Sequence, residues 1–122
     1  MVQLPPLKIL FADDEVLLLQ VLSLFLRDAG HQVEIATDGR MALEKYGKEP
    51  WDVVITDRSM PDMTGEALAL AIKQVNPKQP IIMVTGSGHP IPKGIDLLLQ
   101  KPFTSKTLTA AVARVLAQVA LE

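Results

Sequence analysis

Cysteine is absent from all 122 residues, which excludes disulfides, thiolate metal ligands and cysteine nucleophiles. No apolar run reaches the length of a transmembrane helix, and residues 1–6 lack the layout of a signal peptide. The net charge is −2 and there is no Lys/Arg-rich tract, so the chain has no general attraction for nucleic acid. These absences favour a cytoplasmic domain that neither enters a membrane nor binds nucleic acid directly.

Hydrophobic residues make up 48% of the chain, enough to build the core of one globular domain. Short apolar runs alternate with longer segments of helical periodicity, the pattern of a doubly wound α/β fold with a five-stranded parallel sheet. We expect residues 1–6 to form a leader and residues 7–120 to form the domain. The predicted strands are residues 7–12, 31–36, 52–56, 80–85 and 95–100, and the predicted helices are 16–29, 38–47, 64–75 and 104–120.

The alternation fails between the fourth and fifth predicted strands. Residues 86–94 read GSGHPIPKG, with three glycines and two prolines in nine positions. Such a composition does not support a regular helix. We therefore expect the fourth crossover helix to be missing or reduced to about one turn.

Polar residues follow several of the apolar strands at the point where each ends. Asp13 and Asp14 follow the first, Asp57 ends the third, Thr85 ends the fourth and Lys101 follows the fifth. In a parallel sheet these ends share one edge, where ligands bind in open α/β folds. Three carboxylates there repel one another unless a cation lies among them, and oxygen ligands suit Mg²⁺ better than zinc.

The same residues resemble the receiver domain of response regulators in two-component signalling. The matching motifs, in order along the chain, are Asp13-Asp14, ITDRSMPDMTG at residues 55–65, MVTG ending at residue 86, and KPF beginning at Lys101. The resemblance implies a flavodoxin-like, CheY-like fold and a phosphorelay function. It implies no enzyme acting on an external substrate, since receivers catalyse only their own phosphorylation and dephosphorylation.

The resemblance also assigns roles to individual residues. Asp57 would take a phosphoryl group from a histidine kinase or phosphotransfer domain, with Mg²⁺ as cofactor. Asp14 would bind Mg²⁺ directly and Asp13 chiefly through water, with Asp57 and the carbonyl group of Ser59 as further ligands. The remaining positions contact the phosphoryl group or respond to it: Lys101 as its cationic partner, Thr85 as a hydroxyl donor, Gly86 as a backbone N–H donor, and Pro102 as part of a cis peptide that aims Lys101. Apart from the resemblance, Arg58 directly follows Asp57 and is expected either to shield the phosphoryl group or to point into solvent.

Three features depart from the family pattern. The interval from Thr85 to Lys101 is short, Leu98 stands where the family often has an aromatic switch residue, and Gly86 replaces the usual Ala or Ser. Many DNA-binding regulators dimerise through the fourth helix, so we expect signal output through the first and final helices or by onward phosphotransfer to a downstream protein. Shortened receivers of this kind resemble those attached to hybrid sensor kinases.

Two other functions compete with a phospho-accepting receiver. A pseudo-receiver that binds a partner without phosphorylation is kept open by Leu98 and the lost helix. An aspartyl-nucleophile phosphatase of the haloacid-dehalogenase type would carry a second acid two residues after the nucleophile, where this chain has Ser59.

Other residues receive structural interpretations. Glu15 is expected only to begin a helix, His31 to lie in a turn, His89 to be solvated and Trp51 to pack. The resemblance implies that the side chains of Ser59 and Ser87 tune the lifetime of the phosphate, and because both are small we expect easy access for a hydrolytic water. A core-facing surface is expected on the first helix, formed by Leu17, Leu18, Leu19, Leu22, Phe25 and Leu26.

Overall fold

A computed structural model describes residues 4–86 and 90–121. These ranges contain five strands and four helices, which alternate except that β5 follows β4 directly. The strands are β1 (Lys8–Ala12), β2 (Gln32–Ala36), β3 (Val53–Asp57), β4 (Ile81–Thr85) and β5 (Leu97–Gln100), and the helices are α1 (Val16–Asp28), α2 (Gly39–Tyr46), α3 (Gly65–Val75) and α4 (Ser105–Ala120).

The strands form one parallel sheet in the order β2-β1-β3-β4-β5. The predicted doubly wound five-stranded architecture is therefore confirmed. β2, in which buried and exposed residues alternate at first, lies at one edge of the sheet. Every residue of β3 and β4 is buried, in keeping with their inner positions in a parallel sheet covered on both faces.

Each side of the sheet carries its own apolar core, because successive side chains of a strand point to opposite faces. Ile9, Phe11 and Ile55 face one side, where they pack with α1 and α4. Leu10 and Val54 face the other side, where they pack with α2 and α3. The two layers of helices hold the sheet so that its carboxyl edge stays open.

Short polar side chains cap the start of three of the helices. Asp38, Thr64 and Thr104 are the N-caps of α2, α3 and α4, and each accepts a hydrogen bond from the N–H group three residues later. These bonds satisfy amide groups that have no partner within the helix. Helix α3 ends at Asn76, next to Pro77, which confirms the predicted stop.

No helix lies between β4 and β5 in the described residues 90–96, in agreement with the predicted loss of the fourth crossover helix. An ion pair ties this segment to the domain instead. Lys73 Nζ on α3 lies 2.8 Å from Asp96 Oδ2, which also accepts the N–H group of Ile81 at 2.9 Å. Gly94 has φ +90° and packs against Leu70, so the segment turns directly over α3.

The expected buried face of α1 is partly wrong. Leu19, Leu22 and Leu26 are buried, but Leu17 is 79% exposed and Phe25 is 45% exposed. Nine of the thirteen residues of α1 are apolar and occupy more than one face, so apolar positions alone did not show which side meets the sheet. None of the helices in the described ranges is long and apolar enough to cross a membrane.

His31 is more than a turn residue. Its side chain is buried, and Nδ1 accepts a hydrogen bond of 3.0 Å from the N–H group of Leu7 just before β1. Burial lowers the pKa of His31, while Asp52 acts weakly in the opposite direction. Trp51 is buried as predicted, at the opposite end of the sheet from the acidic residues.

Candidate functional site

The pairing of β1 with β3 places two acidic residues side by side. Ala12 is level with Thr56 in the sheet, so Asp13 and Asp57 both come next along their strands. Asp13 is wholly buried and Asp57 nearly so. One carboxylate oxygen from each of Asp13, Asp14 and Asp57 can be chosen so that all lie within 4.8 Å of one another. The predicted convergence of three acids therefore occurs.

Lys101 brings a positive charge to these acids. Its backbone N–H group bonds to the carbonyl group of Thr85 at 2.7 Å, which fixes the residue beyond the end of β5. Its Nζ atom lies 3.3 Å from Asp57 Oδ1 and 3.4 Å from Asp13 Oδ2. The following bond, Lys101-Pro102, is cis, as the resemblance predicted.

The surroundings of Asp13 and Asp57 raise the pKa of both carboxyl groups. Burial raises the pKa of Asp57 to about 6, and the charge of Asp13 adds to this effect against the opposing attraction of Lys101. Burial likewise raises the pKa of Asp13. For Lys101 burial acts to lower the pKa, but the charges of Asp13 and Asp57 outweigh it and the pKa is raised. The cluster thus holds more negative charge than one ammonium group neutralises.

The other residues predicted to contact a phosphoryl group differ in how exposed they are. Thr85 is buried at the end of β4, level with Gln100 of β5. Gly86 follows directly and is exposed, as is Ser59 two positions after Asp57. Ser87 and His89 lie outside the described residues, so the expectations for both stay predictions.

Arg58 makes a contact that the sequence did not indicate. Its Nε atom lies 3.1 Å from Glu66 Oε1, in the first turn of α3. The side chain is therefore paired with a neighbouring acid, whereas we expected it to shield a phosphoryl group or point into solvent.

Gly65 allows the loop after Asp57 to fold back on that residue. Its N–H group bonds to the carbonyl group of Arg58 at 2.9 Å. A Cβ atom at this position would overlap the backbone carbonyl oxygen of Asp57. The glycine in the Met-Pro motif thus has a steric reason, since only a residue without Cβ fits there.

Glu15 is the site residue that sequence reasoning missed. It is the N-cap of α1, but its side chain makes no capping hydrogen bond. Its Oε1 atom instead lies 3.2 Å from Lys101 Nζ, so the expectation that Glu15 serves only to begin the helix is wrong. The available signal was its place two residues after Asp13, close to a predicted lysine.

Leu98 occupies the middle of β5, level with Met83 of β4, and packs partly buried against the core on the α3 side. An aliphatic side chain therefore fills the position at which the family often has an aromatic switch residue.

The donor set fits a hard divalent cation. All three clustered side chains offer carboxylate oxygens. Burial, with the charge of Asp13 adding to it, raises the pKa of Asp57, and a bound cation would stabilise the ionised carboxylate. Mg²⁺ prefers such ligands and retains several of its waters. Asp14 is exposed, so the cluster is accessible to solvent on that side.

The parallel sheet and its edge define a class: an open α/β domain with a buried acid, further carboxylates and a lysine at the carboxyl ends of its strands. A family model described as the response regulator receiver domain matches residues 9–113. The chain belongs to this family.

Solved structures and curated proteins agree with this assignment. The chemotaxis response regulator CheY4 of Vibrio cholerae is 38% identical with a TM-score of 0.85, and the match covers 91% of this chain and 99% of that one. The response regulator TrrA of Thermotoga maritima, solved in complex with Mg²⁺-BeF, is 28% identical with a TM-score of 0.81, covering 88% and 96% of the two chains.

The transcriptional regulatory protein CutR of Streptomyces coelicolor is 31% identical over 112 residues. That match covers 87% of this chain and 52% of CutR, so the chain spans about half the length of this relative. The receiver is the part that the two proteins share.

Proposed function

We propose that this domain accepts a phosphoryl group on Asp57 from a phosphohistidine of a partner kinase or phosphotransfer domain. The observation that carries the proposal is the position of Lys101 Nζ, 3.3 Å from Asp57 Oδ1 and 3.4 Å from Asp13 Oδ2. A nearly buried carboxylate beside an ammonium group and two further acids is suited to attack a phosphorus centre and to retain the product.

In the proposed step a carboxylate oxygen of Asp57 forms a bond to phosphorus while the phosphorus–nitrogen bond of the phosphohistidine breaks. The electron pair of that bond stays on the imidazole nitrogen, which takes up a proton. Lys101 neutralises charge on the phosphoryl oxygens during the transfer. Asp13, Asp14, Asp57 and the carbonyl group of Ser59 would hold Mg²⁺, which supplies further neutralisation of those oxygens when bound.

Thr85 and Gly86 complete the proposed phosphoryl contacts through a hydroxyl and a backbone N–H group. Arg58 is a weaker candidate, because its pairing with Glu66 would have to be exchanged for the new contact. We further propose that residues 7–120 act as the receiver unit after a short leader, in the cytoplasm, and that they report to a downstream protein without contacting nucleic acid. A switch role for Leu98 stays a prediction.

The decisive experiment is incubation with acetyl phosphate and Mg²⁺ followed by intact mass measurement. We expect a phosphoryl adduct that is lost in Asp57→Asn and retained in Asp28→Asn, a matched change at an exposed acid on α1. An adduct that survives Asp57→Asn would contradict the assignment of the acceptor.

The result also separates the competing functions. A pseudo-receiver would form no adduct with acetyl phosphate or with a cognate kinase. A phosphatase would hydrolyse an external phosphomonoester. Phosphatases of the haloacid-dehalogenase type use a second acid two residues after the nucleophile, and this chain has Ser59 there.

A further inference from the structure

Lys101 has as many carboxylate partners as it has hydrogen-bond donors. A lysine ammonium group carries three N–H bonds. Its Nζ atom lies 3.2 Å from Glu15, 3.3 Å from Asp57 and 3.4 Å from Asp13. If the domain is phosphorylated as proposed above, Asp57 becomes an acyl phosphate, and its dianionic phosphoryl group competes with the remaining carboxylates for the ammonium group of Lys101.

The three partners differ in how easily each can be released. The side chain of Asp13 is wholly buried, and its Oδ1 atom also accepts the N–H group of Glu15 at 2.9 Å. Asp57 is nearly buried and would carry the phosphoryl group itself. The side chain of Glu15 is 62% exposed and makes no capping bond to its helix, so it can turn into water at little cost.

We infer that Glu15 is the exchangeable partner of Lys101. In the unphosphorylated site Glu15 holds the ammonium group of Lys101, and on phosphorylation it releases that group to the phosphoryl group. Glu15 is thus a positioning residue whose charge opposes the phosphorylated state. The inference rests on the proposed function. It states that Glu15 and the phosphoryl group compete for the ammonium group of Lys101.

This role predicts opposite effects on two ligands of the same site. Loss of the Glu15 charge removes local attraction for a cation, so Mg²⁺ should bind more weakly. It also frees one Lys101 donor and removes repulsion of an anion, so beryllofluoride, which mimics the phosphoryl group, should bind more tightly. Structural damage to the site would weaken both ligands together.

The test compares wild type, Glu15→Gln and Glu44→Gln, the last being the same charge change at an exposed position on α2. Mg²⁺ is titrated with detection by backbone amide NMR, and beryllofluoride is titrated at saturating Mg²⁺ with ¹⁹F NMR. For Glu15→Gln we expect Mg²⁺ affinity to fall and beryllofluoride affinity to rise, each by about two- to fivefold. Glu44→Gln should match wild type in both titrations.

Two results would overturn the inference while leaving the proposed function intact. In both of them wild type binds Mg²⁺ and beryllofluoride. Glu15→Gln then has either the same affinity as wild type for both ligands or a lower affinity for both. A shift of the same size in Glu44→Gln would assign the effect to net charge and overturn it as well. A wild type that binds neither ligand would overturn the proposed function, and the inference with it.

Discussion

At the scale of single residues, Asp57 stands out because it combines burial with charge. A carboxylate removed from water and placed beside Asp13 loses solvation and gains repulsion, and one lysine does not compensate for both. The proposed acceptor is therefore held in a state that a cation or a proton relieves. The ionised carboxylate at this position therefore lowers the free energy of unfolding, as strained groups at functional sites commonly do.

Replacement of Asp57 by Asn should stabilise the metal-free domain at pH 7 by about 1–3 kcal/mol. The pKa of Asp57 rises from 3.8 in the unfolded chain to about 6 in the folded domain. The folded state therefore binds more protons between these values, and the stability of wild type falls as pH rises through this window. Asn cannot ionise, so the variant should not show this loss.

Urea unfolding in EDTA, at a series of pH values from 4 to about 7, measures this difference. Asp28→Asn serves as the control, since its carboxylate is exposed on α1. A gap between Asp57→Asn and wild type that does not widen with pH would contradict the electrostatic explanation.

His31 predicts a pH dependence of the opposite sign. Its lowered pKa means that the folded state favours the neutral imidazole, whose Nδ1 accepts the Leu7 N–H bond. Stability should be fully present above the unfolded pKa of 6.5 and should fall as the pH drops below it. Comparison of His31→Gln with wild type by thermal unfolding at pH 7.5 and pH about 5.5 tests this, and an unchanged pH dependence in the variant would refute it.

At the scale of elements, the turn between β3 and α3 decides the shape of the site. Gly65 begins α3 and lies directly against the carbonyl group of Asp57, so the helix starts immediately beside the proposed acceptor. The N-cap Thr64 fixes that start through its bond to the N–H group of Ala67. The elements around Asp57 are therefore held by a close backbone approach and by a cap, both of which have signals in the sequence.

Gly65→Ala should lower the free energy of unfolding by about 2–3 kcal/mol, because the added methyl group overlaps backbone that cannot easily move. It should also weaken Mg²⁺ binding, since Asp57 shifts with its carbonyl group. Gly47→Ala at the end of α2 is the matched control, because a Cβ atom there would lie 3.7 Å from the carbonyl oxygen of Glu44, an ordinary contact. Urea unfolding and Mg²⁺ titration of both variants check this, and equal effects at the two glycines would argue against the steric explanation.

At the scale of the whole molecule, the domain keeps a five-stranded sheet although no helix covers the β4–β5 crossover in the described residues. The half-buried pair of Lys73 and Asp96 joins α3 to the start of β5, and Asp96 also accepts the first N–H group of β4. One carboxylate thus connects three elements in the region that a longer crossover would otherwise occupy.

Lys73→Met should destabilise the domain by about 1–3 kcal/mol, because it leaves the half-buried Asp96 carboxylate without its cation. Lys106→Met, an exposed change on α4, should have little effect. Thermal unfolding of the two variants provides the measurement. Hydrogen exchange of the β5 amides should rise selectively in Lys73→Met, and uniform or absent changes would count against the pair as a local tie.

The order of elements, the open carboxyl edge and the meeting of Asp13, Asp57 and Lys101 could all be predicted from the sequence. Periodicity sets the type of each element, and parallel strands bring their ends to one edge whatever the details of packing. The sequence also predicted the loss of the crossover helix between β4 and β5, because Gly and Pro disfavour a helix wherever they occur in the chain.

Other features were decided only by the tertiary structure. The partners of Glu15, Arg58 and His31 depend on which side chains meet across distant segments, and the exposure of Leu17 depends on how the largely apolar helix α1 is rotated. Local sequence carries periodicity and caps, but ion pairs of long side chains and the rotation of a largely apolar helix follow from three-dimensional packing. For this protein the sequence determined the fold and where its chemistry collects, and the tertiary structure decided how the charges there are shared.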